Sequence, residues 1–260
     1  MERIANRTVL ITGSTAGIGK AIAEAFAQLG YQIVFNGLEP NGAEIAADLA
    51  AKYKIKYLFS AANMMDPSAL RNMVREAIEH FGRIDILVNN AGIQFVSSIE
   101  EFPEDKWDAI IAVNLSAAFH LTKAVWPQMK ANQFGRIINI SSAHSLVASE
   151  NKSAYVASKH GLNGLTKTIA LEGVPYNITC NAICPGYVHT AIVEGQIANQ
   201  MNVNQMTAEE VVEKVMLSKQ ALKEFIPMEL IAKTVLFLAA EEARTITGVT
   251  WPIDAGWSAQ

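Results

Sequence analysis

Two rhythms of apolar and polar positions alternate along this chain. Short, continuously apolar runs rich in Val and Ile recur, and between them the apolar positions fall three and four residues apart. Runs of the first kind suit strands buried on both faces, as in a parallel sheet. The second spacing suits helices that lay one face on such a sheet. Strands are predicted at 8–13, 31–36, 56–60, 84–89, 135–141, 178–183 and 249–254, and helices at 18–29, 42–53, 67–80, 104–130, 153–172 and 228–240. Pro67 stands at a helix start, and Gly30 and Gly82 at helix ends, where each residue type is favoured. Alternation without a linker, repeat or composition break predicts one α/β domain, 1–260, built on a doubly wound parallel sheet of about seven strands with helices on both faces. The stretch 186–223 breaks the rhythm. It is rich in Gln, Asn and Met, helical in pattern, and follows a strand's carboxyl end, where such sheets bind ligands. It is expected to be a substrate lid.

Composition removes several function classes. A chain of 260 residues that is 50% hydrophobic can bury a large core. The net charge of −4, with both signs interspersed, gives no footprint for nucleic acid. The two cysteines, Cys180 and Cys184, have no His or Cys partners at zinc spacing, and no cluster suggests any other metal. The first residues lead straight into a strand without a signal-like apolar region, and no apolar run reaches membrane-spanning length. A soluble, cytoplasmic protein is expected, without nucleic-acid or membrane partners.

Two local patterns carry chemistry. Gly13, Gly17 and Gly19 join the first strand to the first helix. A turn of glycines there lets backbone approach a phosphate at the positive end of a helix. No Gly-Lys-Ser/Thr follows, which disfavours a P-loop. Further on, Tyr155 and Lys159 stand four residues apart, on one helical face. An ammonium beside a phenol favours the phenolate and lowers a pKa that starts at about 10. Tyr155 is thereby a candidate general acid/base.

Taken with Asn89-Asn90-Ala91-Gly92, Ser142 and Pro185-Gly186, these motifs resemble the short-chain dehydrogenase/reductase family, in order and over the whole chain. The resemblance implies a Rossmann-type fold, a nicotinamide cofactor and, usually, a homotetramer, here through the helices at 104–130 and 153–172. It places Asn114, Ser142, Tyr155 and Lys159 in the catalytic tetrad. Cofactor contacts are implied at Gly13, Thr15, Gly17, Ile18, Gly19, Asn36, Leu38, Asn63, Met64, Asn90, Ala91, Gly92, Tyr155, Lys159, Pro185, Gly186 and Val188. Members that prefer a 2′-phosphate often carry a base where this chain has Ala16 and Leu38, so NAD is expected. No acid stands squarely at the end of the second strand, and Glu39 lies further along.

Gln94, His144, Lys152 and Gln196 would together offer donors to a small carboxylate. With Trp257 and the segments 89–94, 142–161 and 181–186, they are similar to the group of bacterial D-3-hydroxybutyrate dehydrogenases within that family. The implied reaction is the reversible NAD-dependent oxidation of (R)-3-hydroxybutyrate to acetoacetate, with Tyr187 and Trp257 walling the pocket. This chain departs from the group with Tyr187 for Trp, Phe95 for His and Ala255 for Gly. The alternatives are an NADPH-dependent 3-oxoacyl-thioester reductase and a non-catalytic NAD-sensing protein.

Overall fold

The strands form where the apolar runs lie: β1 (Thr8–Ile11), β2 (Gln32–Asn36), β3 (Tyr57–Ser60), β4 (Ile86–Asn89), β5 (Gly135–Ile140), β6 (Ile178–Pro185) and β7 (Thr250–Ile253). In the computed structural model, which describes residues 7–190, 193, 194, 197, 201 and 206–259, they make one sheet in the order β3-β2-β1-β4-β5-β6-β7. Every neighbouring pair is parallel. The order reverses between β1 and β4, and a crevice opens beyond the carboxyl ends of those two strands.

The sheet is buried on both sides because side chains alternate across it. Val9 and Ile11 of β1 join a core with Ile33, Phe35, Ile86 and Val88. Helices α1 (Gly17–Gln28) and α8 (Met228–Ala239) cover that side with Ile22, Phe26, Ile231, Val235 and Leu238. Leu10 points the other way, with Val34, Leu87 and Ile137. There it meets α3 (Pro67–Phe81) through Leu70 and Met73, α5 (Ala117–Ala131) through Leu121, Val125 and Met129, and α6 (Ser153–Gly173) through Ile169. Each fully buried side chain of this size contributes about 1.5–3 kcal/mol. Local signals agree with the packing. Asp66 accepts from the Ser68 and Ala69 amides to cap α3, Pro67 sits in its first turn, and Gly82 ends it in the left-handed region.

The predicted helix at 104–130 is not uniform. It is α4 (Glu104–Ile111), a π-helical turn (Ala112–Ser116) and then α5. The turn carries Asn114, whose amide Nδ2 donates to the Ile93 carbonyl at 3.0 Å while its Oδ1 accepts from the Ile93 amide at 2.9 Å. That two-way bond to a strand-following loop compensates the wider turn. The stretch Glu104–Ala131, 28 residues with a mean hydropathy of 1.3 in its most apolar window, is long and apolar enough by composition to cross a membrane. It is nonetheless no unbroken apolar run, since Lys106, Asp108, His120, Lys123 and Lys130 fall along it. Leu121, Val125 and Met129 of this helix are buried in the fold's own core.

Two further helices are α2 (Gly42–Tyr53), which follows β2, and the short α7 (Ala208–Val211). Thr207 and Glu210 cap α7 reciprocally. A π-helical turn (Val212–Met216) and a 3-10 turn (Leu217–Lys219) follow α7.

Candidate active site

The crevice at the switch point is a cleft of about 450 Å³ running across the carboxyl ends of the strands. Its floor is made by tight backbone contacts. A Cβ at Gly19 would lie 2.0 Å from the Gly13 carbonyl oxygen, so no other residue fits under the turn. Asn90, just past β4, donates from Nδ2 to the Thr12 and Gly13 carbonyls at 2.9 and 3.1 Å. Thr12 Oγ1 in turn accepts from the Asn90 and Ala91 amides, both at 2.9 Å. These bonds lock β1 to β4 at the cleft. No side chain caps α1, whose first amides are left for an anion at the positive end of the helix. The donor set and the close-packed turn fit the pyrophosphate of a dinucleotide.

Most of the predicted cofactor contacts line this cleft: Gly13, Gly17, Ile18, Asn36, Leu38, Asn63, Met64, Asn90, Ala91, Gly92, Pro185, Gly186 and Val188. Gly19 lies beneath it. Thr15 is buried and does not line it, because its hydroxyl donates to Glu39. Asn36 lines the cleft with an amide already engaged. Its Oδ1 accepts from the Gly13 amide at 3.2 Å and its Nδ2 donates to the Ser60 and Ala62 carbonyls, both at 3.0 Å. Glu39 also lines the cleft, closer in than its sequence position suggested. The loop turns back there, with the Gly42 amide donating to the Glu39 carbonyl at 2.9 Å as α2 begins.

At the other end the lining comes from β5, α6 and the chain's last turn. Ser142 follows β5 in extended backbone, and its Oγ accepts from the His144 amide at 3.1 Å. Tyr155 and Lys159 project from α6 into the cleft, as their spacing predicts. The Lys159 ammonium lies 5.7 Å from the Tyr155 ring centroid and donates to the Ile140 carbonyl at 2.8 Å. The expected lowering of the Tyr155 pKa is not found. Burial pushes the phenol up, outweighing a hydrogen bond to Ser142 that acts downward. The same burial brings Lys159 down to about 8. Asn114 is set behind the pair, on a neighbouring void of about 10 Å³ shared with Thr12, Asn89 and Lys159.

Gln94, His144, Lys152, Tyr187 and Trp257 converge on the same end. Tyr187 stacks on Trp257 with centroids 5.6 Å apart and planes at 9°. His144 meets Trp257 edge-on at 4.8 Å and Tyr155 at 5.9 Å, with Nε2 held 3.0 Å from Ser149 Oγ. Burial, then the Lys152 and His160 charges, push its pKa down to about 3. Lys152 Nζ donates to Tyr187 Oη at 3.4 Å, and burial lowers its pKa with no carboxylate among the described residues acting against it. Gln94 Nε2 is buried without a partner among the described residues. Gln196 lies outside the described residues. Phe95 packs edge-on against Phe102 and is absent from the cleft wall. Ala255 adopts a left-handed φ of 54°, which explains why glycine suits its place in the turn before Trp257.

Sequence reasoning did not single out Val113, Ile140, Thr190 and Val193, which also line the cleft. They are ordinary apolar or hydroxyl residues without any motif, and only tertiary packing brings them there.

Comparison with known proteins follows this geometry. Residues 7–201 match the family model described as short chain dehydrogenase. The chain is 49% identical over 256 residues to the D-beta-hydroxybutyrate dehydrogenase of Rhizobium meliloti, covering 98% of this chain and 99% of the relative. It is 44% identical to the protein of the same name from Cupriavidus necator, with 98% of each covered. It is 33% identical to a 3-oxoacyl-acyl-carrier-protein reductase of Thermotoga maritima, again with 98% of each covered. Similarity of that extent runs through the glycine turn and the Tyr155–Lys159 helix alike, and by it the chain belongs to the short-chain dehydrogenase family of oxidoreductases, which work with a nicotinamide cofactor.

Proposed function

We propose that the protein interconverts (R)-3-hydroxybutyrate and acetoacetate with NAD. The observation that carries this reading is the Lys152 ammonium, enclosed at the end of the cleft beside Tyr155 with no carboxylate against it among the described residues. A half-buried cation without a counter-charge is costly until an anion arrives. Gln94 Nε2, buried and unpartnered, is a second donor at the same end. The two full-length relatives that bear the hydroxybutyrate name support the same substrate.

In this reading Lys152, Gln94, His144 and Gln196 hold the carboxylate, and the stacked Tyr187 and Trp257 wall the short carbon chain. Ser142 and Tyr155 hydrogen-bond the C3 oxygen. A bound nicotinamide would accept the hydride that leaves C3 in oxidation and return it in reduction. Tyr155 takes the hydroxyl proton in oxidation and returns it in reduction. Lys159 stabilises the phenolate that forms, and its pKa of about 8 places proton exchange within reach of neutral pH. Asn114 passes the proton outward through the small void, which has room for about one water.

The choice of NAD is supported by the absence of any cation among the described residues at the end of the cleft that holds Asn36, Leu38 and Glu39. A lid formed by 186–223 is supported by a small apolar cluster in which Val193, Val211 and Met216 pack with Tyr187. Assembly as a homotetramer is supported by apolar residues left exposed on the long helices, Phe119 at 46% and Leu171 at 77%. Light scattering reads the assembly directly. A cytoplasmic setting agrees with the unpaired thiols of Cys180 and Cys184.

The test of function is a substrate panel run in both directions with NAD and NADP. Acetoacetate should be reduced, and (R)-3-hydroxybutyrate oxidised in preference to its enantiomer. A higher kcat/KM for acetoacetyl-CoA than for acetoacetate would instead make the protein a thioester reductase.

A further inference from the structure

We propose that Glu39, held by Thr15, is the residue that selects NAD over NADP. The inference rests on the reading of the cofactor given above and names the group responsible for it. Such a choice usually belongs to an acid at the end of the second strand. Here that place is filled by Asn36, whose side chain is fully committed to Gly13, Ser60 and Ala62. Glu39 is the only carboxylate among the described residues that line the cleft. Its position there is built. Thr15, inside the glycine turn and 2% exposed, donates its hydroxyl to Glu39 Oε2. Oε1 has no partner among the described residues.

Gly37 makes that bond possible. A Cβ at Gly37 would lie 2.0 Å from Thr15 Oγ1 and 2.5 Å from Glu39 Oε2. Any larger residue would fill the space in which the two side chains meet. The loop carbonyl of Glu39 is fixed as well, by the Gly42 amide. The carboxylate is therefore pinned by one oxygen, with its second oxygen free to accept from a hydroxyl. A ribose offers such a donor. A 2′-phosphate offers only acceptors and negative charge, and no cation among the described residues lines this end to offset the repulsion. Thr15 thus acts through Glu39 and is a positioning residue.

The experiment is a titration of the full-length protein with NADH and with NADPH, read by the change in nicotinamide fluorescence and needing no turnover. Wild type should bind NADH more tightly. Glu39→Gln should narrow the ratio of the two dissociation constants by about tenfold or more, as expected when a like-charge contact is removed. Glu39→Lys should reverse the preference. Thr15→Val should narrow the ratio in part, and Thr15→Ser, which keeps the hydroxyl, should restore it. If wild type prefers NADH and Glu39→Gln leaves the ratio within about twofold, Glu39 is not the selector while the NAD reading stands. If wild type binds both alike, the NAD reading fails and the inference falls with it.

Discussion

The two ends of the cleft are built from different materials. The nucleotide end is backbone: a glycine turn, an uncapped helix and bonds from Asn90 and Asn36 to main-chain atoms. Its one lining charge is the exposed Glu39, tied to Thr15. The substrate end is side chains, gathered from β5, α6 and the final turn, and its titratable groups sit out of their ordinary ranges. His144 is held near 3, Lys159 near 8, Lys152 is lowered and Tyr155 raised. The difference teaches where the strain of function is placed. Binding of a large common cofactor rests on backbone held rigid by hydrogen bonds from Asn90 and Asn36, with the first amides of α1 left open for the anion. Recognition of a small acid rests on groups left short of partners until it binds.

If that contrast is right, removing chemistry from the substrate end should leave the nucleotide end working. Tyr155→Phe is expected to lower kcat by about 10³-fold or more, with NADH affinity within about threefold of wild type, because only the proton donor is lost. Retained turnover would break the assignment. Lys152→Ala is expected to raise KM for 3-hydroxybutyrate by about 30–100-fold and kcat much less, since a charged hydrogen bond to the substrate is lost. An unchanged KM would remove Lys152 from the pocket.

Acid stability separates the two ends without any substrate. The pKa of His144 is lowered by folding, so the unfolded chain binds its proton more readily, and stability is present above about 6.5 and is lost as pH falls toward 3. Between pH 6.5 and 5.5 this group should cost about 1 kcal/mol of unfolding free energy, a loss absent in His144→Gln. Equal slopes in denaturant melts of the two proteins would show that the imidazole is not strained. The smallest effect is expected from Tyr187→Phe. The ring still stacks on Trp257, but the weak 3.4 Å contact to Lys152 is gone, and KM should change about two- to fivefold.

The same contrast decides what was legible in the chain. Gly13, Gly17, Gly19 and Asn90 could be read because a fixed backbone geometry demands particular residues at particular spacings. The sheet could be read because every central strand is buried on both faces. The helix 104–130 could be read as a helix but not as one interrupted at Asn114, since a π turn is set by a tertiary bond to Ile93 rather than by local propensity. Tyr155 and Lys159 could be placed, but not the direction of the phenol's pKa, because burial depends on everything packed around it. Glu39 was visible as a residue and not as a lining group. What brings it in is a space left by the missing side chain of Gly37, three-dimensional information that no spacing encodes.

The sheet order has a consequence for how the molecule assembles itself. β1 pairs with β4 in the register Val9 to Ile86 and Leu10 to Leu87, so the cleft lies on a seam closed by residues far apart in sequence. Closing such a loop carries an entropic cost before any contact repays it, and parallel pairings of this kind form slowly. Until the first three strand–helix units have docked, Asn90 has no Thr12 to hold and the nucleotide site does not exist. Recovery of NADH binding during refolding should therefore lag behind recovery of helical signal, making the cofactor a reporter of that seam's closure as well as a reactant.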